Sequence, residues 1–571
     1  MKCFWCLSRI SCILVILSYS ECMFTSDEII SFRERVREMF QFGYEGYLKH
    51  AYPYDELQPL TCDGVDTWGS YSLTLIDALD TLAVMGNYTE FNRVARLLVE
   101  TLDFDEDINV SVFETNIRVV GGLISAHLMS RDTGFQVHAN WPCEGPLLNL
   151  AEQAAEKIIA AFDTKTRMPY GTVNLMYGVP KGETPITCTA GVGTSVSYTH
   201  LDTLSRLTGN PMFEDVALEA LDALWERKSE IGLVGNHINV ESGKWTALDA
   251  GIGAGIDSYF EYLLKGGLLL GNSHLLEMFY EYETMIEKYI KKDDWYMWVQ
   301  MSKGVVTVPV FQSLEAFWPG LQSMMGKIDD GMKSLHNYYQ VWQQLGFLPE
   351  FYNIVHGKVV DKRDGYPLRP ELAESIMYLY QATKDPFLLQ MGRDMIESIE
   401  KVAKTRCGYT SIKDVRNHQL DNRMESFFLS ETTKYLYLLF DPDNKIHGTG
   451  GKGEVINTDS GSCVVNSGSY IFNTEAHPVD IGALDCCKKQ PAQEEIEFAF
   501  NVLRNNKKRL QFLNNYVNSD QHTRRDLTST FNCSARPFYS RLSILGEMFE
   551  EEIIKQAKLP ENVCQDSIAK P

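Results

Sequence analysis

The strongest constraint on this chain is a junction that recurs between amphipathic segments. It reads Met85-Gly86-Asn87-Tyr88, then Thr208-Gly209-Asn210-Pro211, then Leu270-Gly271-Asn272-Ser273, then Thr383-Lys384-Asp385-Pro386. Each stops one helix with glycine or a polar turn and opens the next with Asn, Asp or Ser, twice with proline beside the cap. The junctions lie near multiples of about 60 residues, the period of a repeated α-hairpin. Around them run fourteen amphipathic segments of 12 to 20 residues, from 30–49 to 423–440. Strand-like alternation is confined to pieces such as Gly232–Val240 and Val305–Val310.

Fourteen helices taken as seven hairpins form either an open solenoid or a closed ring. A solenoid ends in polar capping repeats. Here the last segment, Phe427-Phe428-Leu429 through Tyr435-Leu436-Tyr437-Leu438-Leu439-Phe440, is apolar on every side, which favours closure. A ring also accounts for a length of 571 residues, beyond the usual limit of one core. The expected fold is all-α: an (α/α)7 barrel over 26–484. A small, charged, partly disordered C-terminal tail over 485–571 would follow, with amphipathic pieces at 494–513 and 539–554.

The N-terminus has one early Lys2, an apolar run from Ile10 to Leu17, and Ser18-Tyr19-Ser20. This reads as a signal peptide over 1–20, cleaved after Ser20. The run is too short for a transmembrane anchor, and no later stretch is long enough. Sequons at Asn87, Asn109 and Asn532 agree with secretion. The last residues are not a KDEL-type signal. Of 13 cysteines, four lie within the first 22 residues, and the rest are too dispersed for a metal finger. Some should be bridged, with the pairing left open. Cys486, Cys487 and Cys564 lie in polar surroundings, where one could stay available for an intermolecular bond, although a structural bridge is the reading favoured. A net charge of −23 argues against nucleic acid as partner and is compatible with a neutral ligand and a bound cation.

Carboxylates recur on apolar faces and at helix starts. They include Asp55-Glu56, Asp77 with Asp80, Glu114 with Arg118, Asp257 with Glu261, Glu371 with Glu374 after Arg369-Pro370, Glu425 with Glu431, and Glu475 in Phe472-Asn-Thr-Glu-Ala-His-Pro478. Any one of them reads most simply as a structural pair. Together they describe a ring of helices presenting acids at a common mouth, which must differ in pKa or share a cation. That layout suits glycoside hydrolysis, with one carboxylic acid protonating the leaving oxygen and one carboxylate activating water. Glu371, at a helix N-terminus, is placed to stay anionic. Arg118 should lower the pKa of Glu114. Thr474 offers a hydroxyl and a carbonyl, hard oxygens suited to Ca²⁺ with waters completing the shell. Trp68, Tyr71, Phe113, Tyr259, Phe260, Trp318 and Phe472 are aromatic residues near the acids that could stack on sugars, although most should be core.

The segments Phe113-Glu-Thr-Asn-Ile-Arg118, Asp257-Ser-Tyr-Phe-Glu261, Leu368-Arg-Pro-Glu371, Glu425-Ser-Phe-Phe-Leu-Ser-Glu431 and Phe472-Asn-Thr-Glu-Ala-His-Pro478 resemble, in order, the motifs of glycoside hydrolase family 47, the secretory-pathway α-1,2-mannosidases. Thr61-Cys-Asp-Gly64, Trp141-Pro-Cys143, Asp293-Asp-Trp-Tyr296 and Pro309-Val-Phe-Gln-Ser-Leu-Glu-Ala316 resemble a degradation-linked subgroup. The resemblance implies an (α/α)7 barrel, Ca²⁺ at Thr474 and inverting hydrolysis. Glu114 would be general acid, Glu371 the base, and Asp257 a second residue that positions or activates water. Arg118, Arg369, Glu374, Glu431 and Glu475 would contact substrate or its waters. The implied role is trimming of high-mannose N-glycans on misfolded glycoproteins in the endoplasmic reticulum lumen, or, alternatively, lectin binding of those clients without cleavage. A thioredoxin-like oxidoreductase is a further expected partner, through a free cysteine. Two positions depart from the family pattern: Gly255 stands where an Arg is expected and Ser313 where a His is expected.

Overall fold

The computed structural model describes residues 24–195, 200–448, 453–467 and 470–487. The signal peptide, Asn532, Cys564 and the tail from 488 onward lie outside the described residues.

The described chain forms fourteen helical segments that alternate between an outer and an inner layer. The outer helices are α1 (Ser26–His50), α3 (Tyr88–Thr101), α5 (Pro146–Ile159), α7 (Met212–Trp225), α9 (Ser273–Met285), α11 (Ile328–Leu345) and α13 (Pro386–Ser398). The inner segments are α2 (Leu73–Asp77 with Leu79–Val84), α4 (Val112–Glu114, Thr115–Val120 and Gly121–Thr133), α6 (Thr189–Ser195 with Leu201–Thr208), α8 (Asp257–Leu270), α10 (Ser313–Phe317 with Trp318–Met324), α12 (Glu371–Thr383) and α14 (Phe428–Thr432 with Thr433–Leu439).

The layering follows from composition. Outer helices carry one apolar stripe and keep a polar face to solvent; α3 buries Phe91, Val94, Ala95 and Leu98 and little else. Inner helices are buried nearly all round, as every residue of Thr433–Leu439 is. That last inner helix packs on α1, and Phe428–Thr432 packs on α2, so the ring closes.

The sequence junctions act as expected. Gly209 and Gly271 end α6 and α8 at φ 73° and 63°, a left-handed conformation that costs glycine nothing. Lys384 takes the same place after α12 at φ 53°. Asn87, Asn272 and Asp385 cap α3, α9 and α13 through side-chain oxygens that accept from Glu90, His274 and Phe387 amides.

Short antiparallel hairpins connect the layers, more of them than alternation in the sequence suggests. One pairs Asn109–Ser111 with Thr172–Asn174, another pairs Tyr470–Phe472 with Pro478–Asp480. Three disulfides tie distant segments: Cys62–Cys407, Cys143–Cys487 and Cys463–Cys486. Cys486 and Cys487 form structural bridges, the reading the sequence favoured, but they are buried against the barrel rather than set in polar surroundings. The ring can bury them because the segment ending at 487 packs down on the strand Gly461–Val465 and on α6. Among the described cysteines only Cys188 is free. No described helix is long and apolar enough to cross a membrane.

Candidate active site

One end of the inner ring surrounds a cavity of about 240 Å³. The inner helices deliver its acids by their first turns. Ser111 accepts from the Glu114 amide and starts α4, which places Glu114 in the opening turn. Asp257 is the first residue of α8, and Glu371 the first of α12. Leu368, at φ 62°, turns the chain so that Arg369-Pro370 precede Glu371 at the rim. Glu431 comes from the wide π-type turn Phe428–Thr432 that opens α14, and Arg118 from a second such turn, Thr115–Val120. Turns of this kind gather at functional sites. Thr474 and Glu475 lie in the tight turn between Phe472 and Pro478, where Asn473 Oδ1 accepts the amides of Glu475 and His477, both at 2.8 Å.

All nine candidate residues line this cavity: Glu114, Arg118, Asp257, Arg369, Glu371, Glu374, Glu431, Thr474 and Glu475. Glu261, Ser258, Cys188, Phe317, Phe427 and Gly255 complete its wall. Of the aromatic candidates, Phe113 alone reaches it. Tyr259, Phe260, Trp318 and Phe472 are core, as expected for most, whereas Trp68 and Tyr71 line other clefts. Sequence reading passed over Phe427, whose ring lies 5.4 Å from the Arg118 guanidinium carbon and 5.9 Å from that of Arg369. Its place between Glu425 and Glu431 in one motif was the available signal.

Asp55, Asp77 and Asp80 are not at the mouth. Asp55 accepts the amides of Thr67, Trp68, Gly69, Ser70, Tyr71 and Leu73 and so organises the loop before α2. Asp77 and Asp80 are fully buried and paired with cations from other inner segments.

The cavity holds seven carboxyl groups against two guanidinium groups. Arg118 Nε lies 2.7 Å from Glu114 and its Nη1 2.9 Å from Glu475. Arg369 is held behind the rim by Glu350 at 2.6 Å, and Ser313 Oγ donates to that same carboxylate at 3.2 Å. Lys265, beneath, pairs with Glu261 and, at 3.0 Å, with Glu374. Burial, with too few cations to balance it, pushes Asp257 up to about 7, Glu371 to about 8, and Glu374 and Glu475 to about 7. Glu431 rises for the same first reason, reinforced by Glu475 beside it. The expectation that the helix N-terminus keeps Glu371 anionic is therefore overturned: desolvation outweighs both the dipole and Arg369.

The donor set fits a calcium ion. Thr474 presents its hydroxyl to the cavity, 3.2 Å from Ser258 Oγ, and Glu371 Oε2 is buried without a hydrogen-bond partner. No cluster of three described His, Cys, Asp or Glu side chains is arranged to hold a metal directly. Thr474 oxygens, completed by water, would be the donors open to a Ca²⁺ here. Gly255 adopts φ 84°, and a Cβ there would meet Asn236 Oδ1 at 2.6 Å, so a larger residue would be strained and would displace the Asn236 side chain.

The profile of Glycosyl hydrolase family 47 matches residues 39–481. The chain is 57% identical over 542 residues to human "ER degradation-enhancing alpha-mannosidase-like protein 2", covering 91% of this chain and 93% of that one. It is 46% identical over 459 residues to "Alpha-mannosidase I MNS4" of Arabidopsis thaliana, covering 80% of this chain and 70% of the relative. Among solved structures, the alpha-1,2-mannosidase from Trichoderma reesei matches with a TM-score of 0.68 at 25% identity, over 79% of this chain and 99% of that one. With the acids of its motifs gathered in one cavity of an α/α barrel, this chain belongs to glycosyl hydrolase family 47.

Proposed function

We propose that the protein is an inverting α-1,2-mannosidase that trims high-mannose N-glycans on misfolded glycoproteins in the endoplasmic reticulum lumen and so commits them to degradation. The observation that carries this reading is that Glu114, Asp257 and Glu371, from the first turns of three inner helices, share one cavity with Thr474.

In the reaction the glycosidic C–O bond breaks and the oxygen of water bonds to the anomeric carbon. Glu114 protonates the leaving oxygen and Glu371 takes the proton from water, with Asp257 orienting that water. Arg118 is shared: its Nε meets Glu114, while Glu475 and Asp77 compete for its Nη1. Arg369, Glu374, Glu431 and Glu475 bind sugar hydroxyls or their waters. Thr474 would hold Ca²⁺, which when bound offsets the carboxylate excess and supplies coordination sites for hydroxyl and water oxygens. Glu371, raised to about 8, needs such an offset to act as a base at neutral pH.

A second reading, a mannose-binding lectin on the same barrel, is favoured by Gly255, which leaves the wall without the cation the family pattern puts there. A thioredoxin-like oxidoreductase remains a proposed partner. Cys188 is the one free cysteine among the described residues; it is half-buried and lines the cavity, and Cys564 lies outside the described residues.

The test is a digest of a nine-mannose glycan with the purified protein, with and without calcium chelation, read by mass. Loss of one hexose that stops on chelation supports the enzyme. Binding without loss supports the lectin.

A further inference from the structure

His477 has no part in the reaction proposed above, yet its surroundings are the most highly charged in the barrel core. Its ring is 1% exposed. Nδ1 lies 2.8 Å from Asp80 Oδ2 and Nε2 lies 3.2 Å from Asp77 Oδ1. A neutral imidazole carries one N–H, so a carboxylate oxygen beside each nitrogen, hydrogen-bonded at Nδ1 and in ion-pair contact at Nε2, favours the imidazolium. Asp80 is also held by Lys434 at Oδ1, 2.7 Å away, and by Ser125 Oγ, which donates to the same Oδ2 at 2.9 Å. Lys434 also donates to the carbonyl of Ala476, which locks the turn that carries Thr474 and His477.

Asp77 faces the active site. Its Oδ2 accepts from Ser426 Oγ at 2.5 Å and lies 3.5 Å from Arg118 Nη1, and Ser426 Oγ is 3.2 Å from that same nitrogen. Arg118 Nε completes the line at Glu114, 2.7 Å away. The other titratable ring close enough to sense His477 is His200, which burial keeps neutral.

We propose that His477 is a positioning residue for Glu114. As an imidazolium clamped between Asp77 and Asp80, it fixes the Asp77 carboxylate that, with Ser426, sets the Arg118 guanidinium against Glu114. This role rests on the hydrolytic reading above. A purely structural charge would affect stability and leave turnover alone. A positioning residue affects kcat, because a displaced Arg118 misplaces the acid.

The test uses the full chain with His477→Gln and Ser426→Ala, measuring kcat and KM on the nine-mannose glycan together with the melting temperature. In His477→Gln, kcat should fall about 10–100-fold, the usual scale for supporting partners of a site, with KM within about 2-fold. Ser426→Ala should show the same split to a smaller degree, at a melting temperature near wild type. It decides the question if His477→Gln does not fold. Either folded variant with wild-type kcat overturns the proposal. Protein labelled with ¹⁵N at histidine should show both His477 ring nitrogens protonated at neutral pH; one bare nitrogen overturns the clamp. A wild-type protein that hydrolyses nothing would overturn the hydrolytic reading and the positioning role with it, leaving the imidazolium to be judged by the spectrum. An active wild type with unaffected variants would overturn the positioning role alone.

Discussion

Two charged assemblies meet at Arg118, and they are built on opposite rules. In the cavity, seven carboxyl groups face two guanidinium groups, and burial lifts several of the acids to about 7 or 8. In the cluster next to it, Asp77 and Asp80 face His477 and Lys434 at matched charge, and both aspartates are lowered from the usual carboxylate value despite complete burial. Desolvation is the first cause acting on all of these acids and always raises them. What differs is whether cations are at hand to reverse it: Lys434 and the His477 ring do so for Asp80, and the His477 ring and Arg118 do so for Asp77. A balanced cluster has nothing left to bind. An unbalanced one is set up to take protons or a cation, and this divides scaffold from chemistry more clearly than burial does.

The comparison breaks most visibly at Glu114. Glu114→Gln keeps the shape and removes the proton donor, so kcat on the nine-mannose glycan should fall about 10³–10⁴-fold, or about 4–5.5 kcal/mol of barrier. Denaturant unfolding should barely move, since Glu114 sits in the unbalanced group. A variant that keeps its activity removes Glu114 from the role of acid and with it the assignment of the cavity.

The converse substitution is Lys434→Met in the balanced cluster. Removing one partner of a fully buried pair leaves Asp80 under-compensated and should cost about 3–5 kcal/mol of stability, read from urea unfolding. A cost below about 1 kcal/mol would mean that the cluster is no scaffold.

These assemblies differ as much in how far the sequence reveals them. The helices and their alternation are legible because hairpin burial writes a period into the chain, and Gly209, Gly271, Asn87 and Asp385 sit where stop and cap chemistry requires. The site acids are legible as a set because their motifs survive in order. The cluster is not, because Asp77 and His477 are 400 residues apart and only ring closure brings α2 beside the turn at Thr474. The disulfide partner of Cys487 was hidden for the same reason, since Cys143 lies 344 residues before it. The π-type turns at Arg118 and Glu431 leave no mark in a 3.6-residue pattern, since they add a residue to a turn without changing its polarity. The rise of Glu371 was hidden too, because a helix start shows in sequence while the dryness of the pocket around it does not.

The acid excess predicts a response to calcium that the balanced cluster should not share. Added Ca²⁺ should raise the melting temperature, by the equivalent of about 2.7 kcal/mol at a concentration 100 times its dissociation constant. Thr474→Ala should abolish the rise and Lys434→Met should keep it. Scanning calorimetry with and without chelator gives the result, and an unchanged wild type would remove the ion from the site.

The smallest effect sharpens the contrast by using a third kind of buried group, one with no charge at all. His127 is fully buried, and its Nε2 meets only the carbonyl of Pro142, at 2.8 Å. Burial pulls it down to about 4. An unfolded histidine titrates near 6.5, so below that pH the unfolded chain binds a proton that folded His127 refuses. Stability is therefore lost as pH falls through 6.5 and levels off below about 4, and His127 should account for roughly 1 kcal/mol of loss by pH 5.5. His477 has the opposite sign: its folded pKa is raised, so its contribution is complete below 6.5 and is lost only as pH climbs through the folded value. In urea unfolding between pH 7.5 and 5.5, His127→Gln should flatten the acid-side loss and His477→Gln should steepen it. Two histidine variants that shift the profile in the same direction would show that the ring between Asp77 and Asp80 is not charged, and that the two assemblies meeting at Arg118 differ less than their geometry implies.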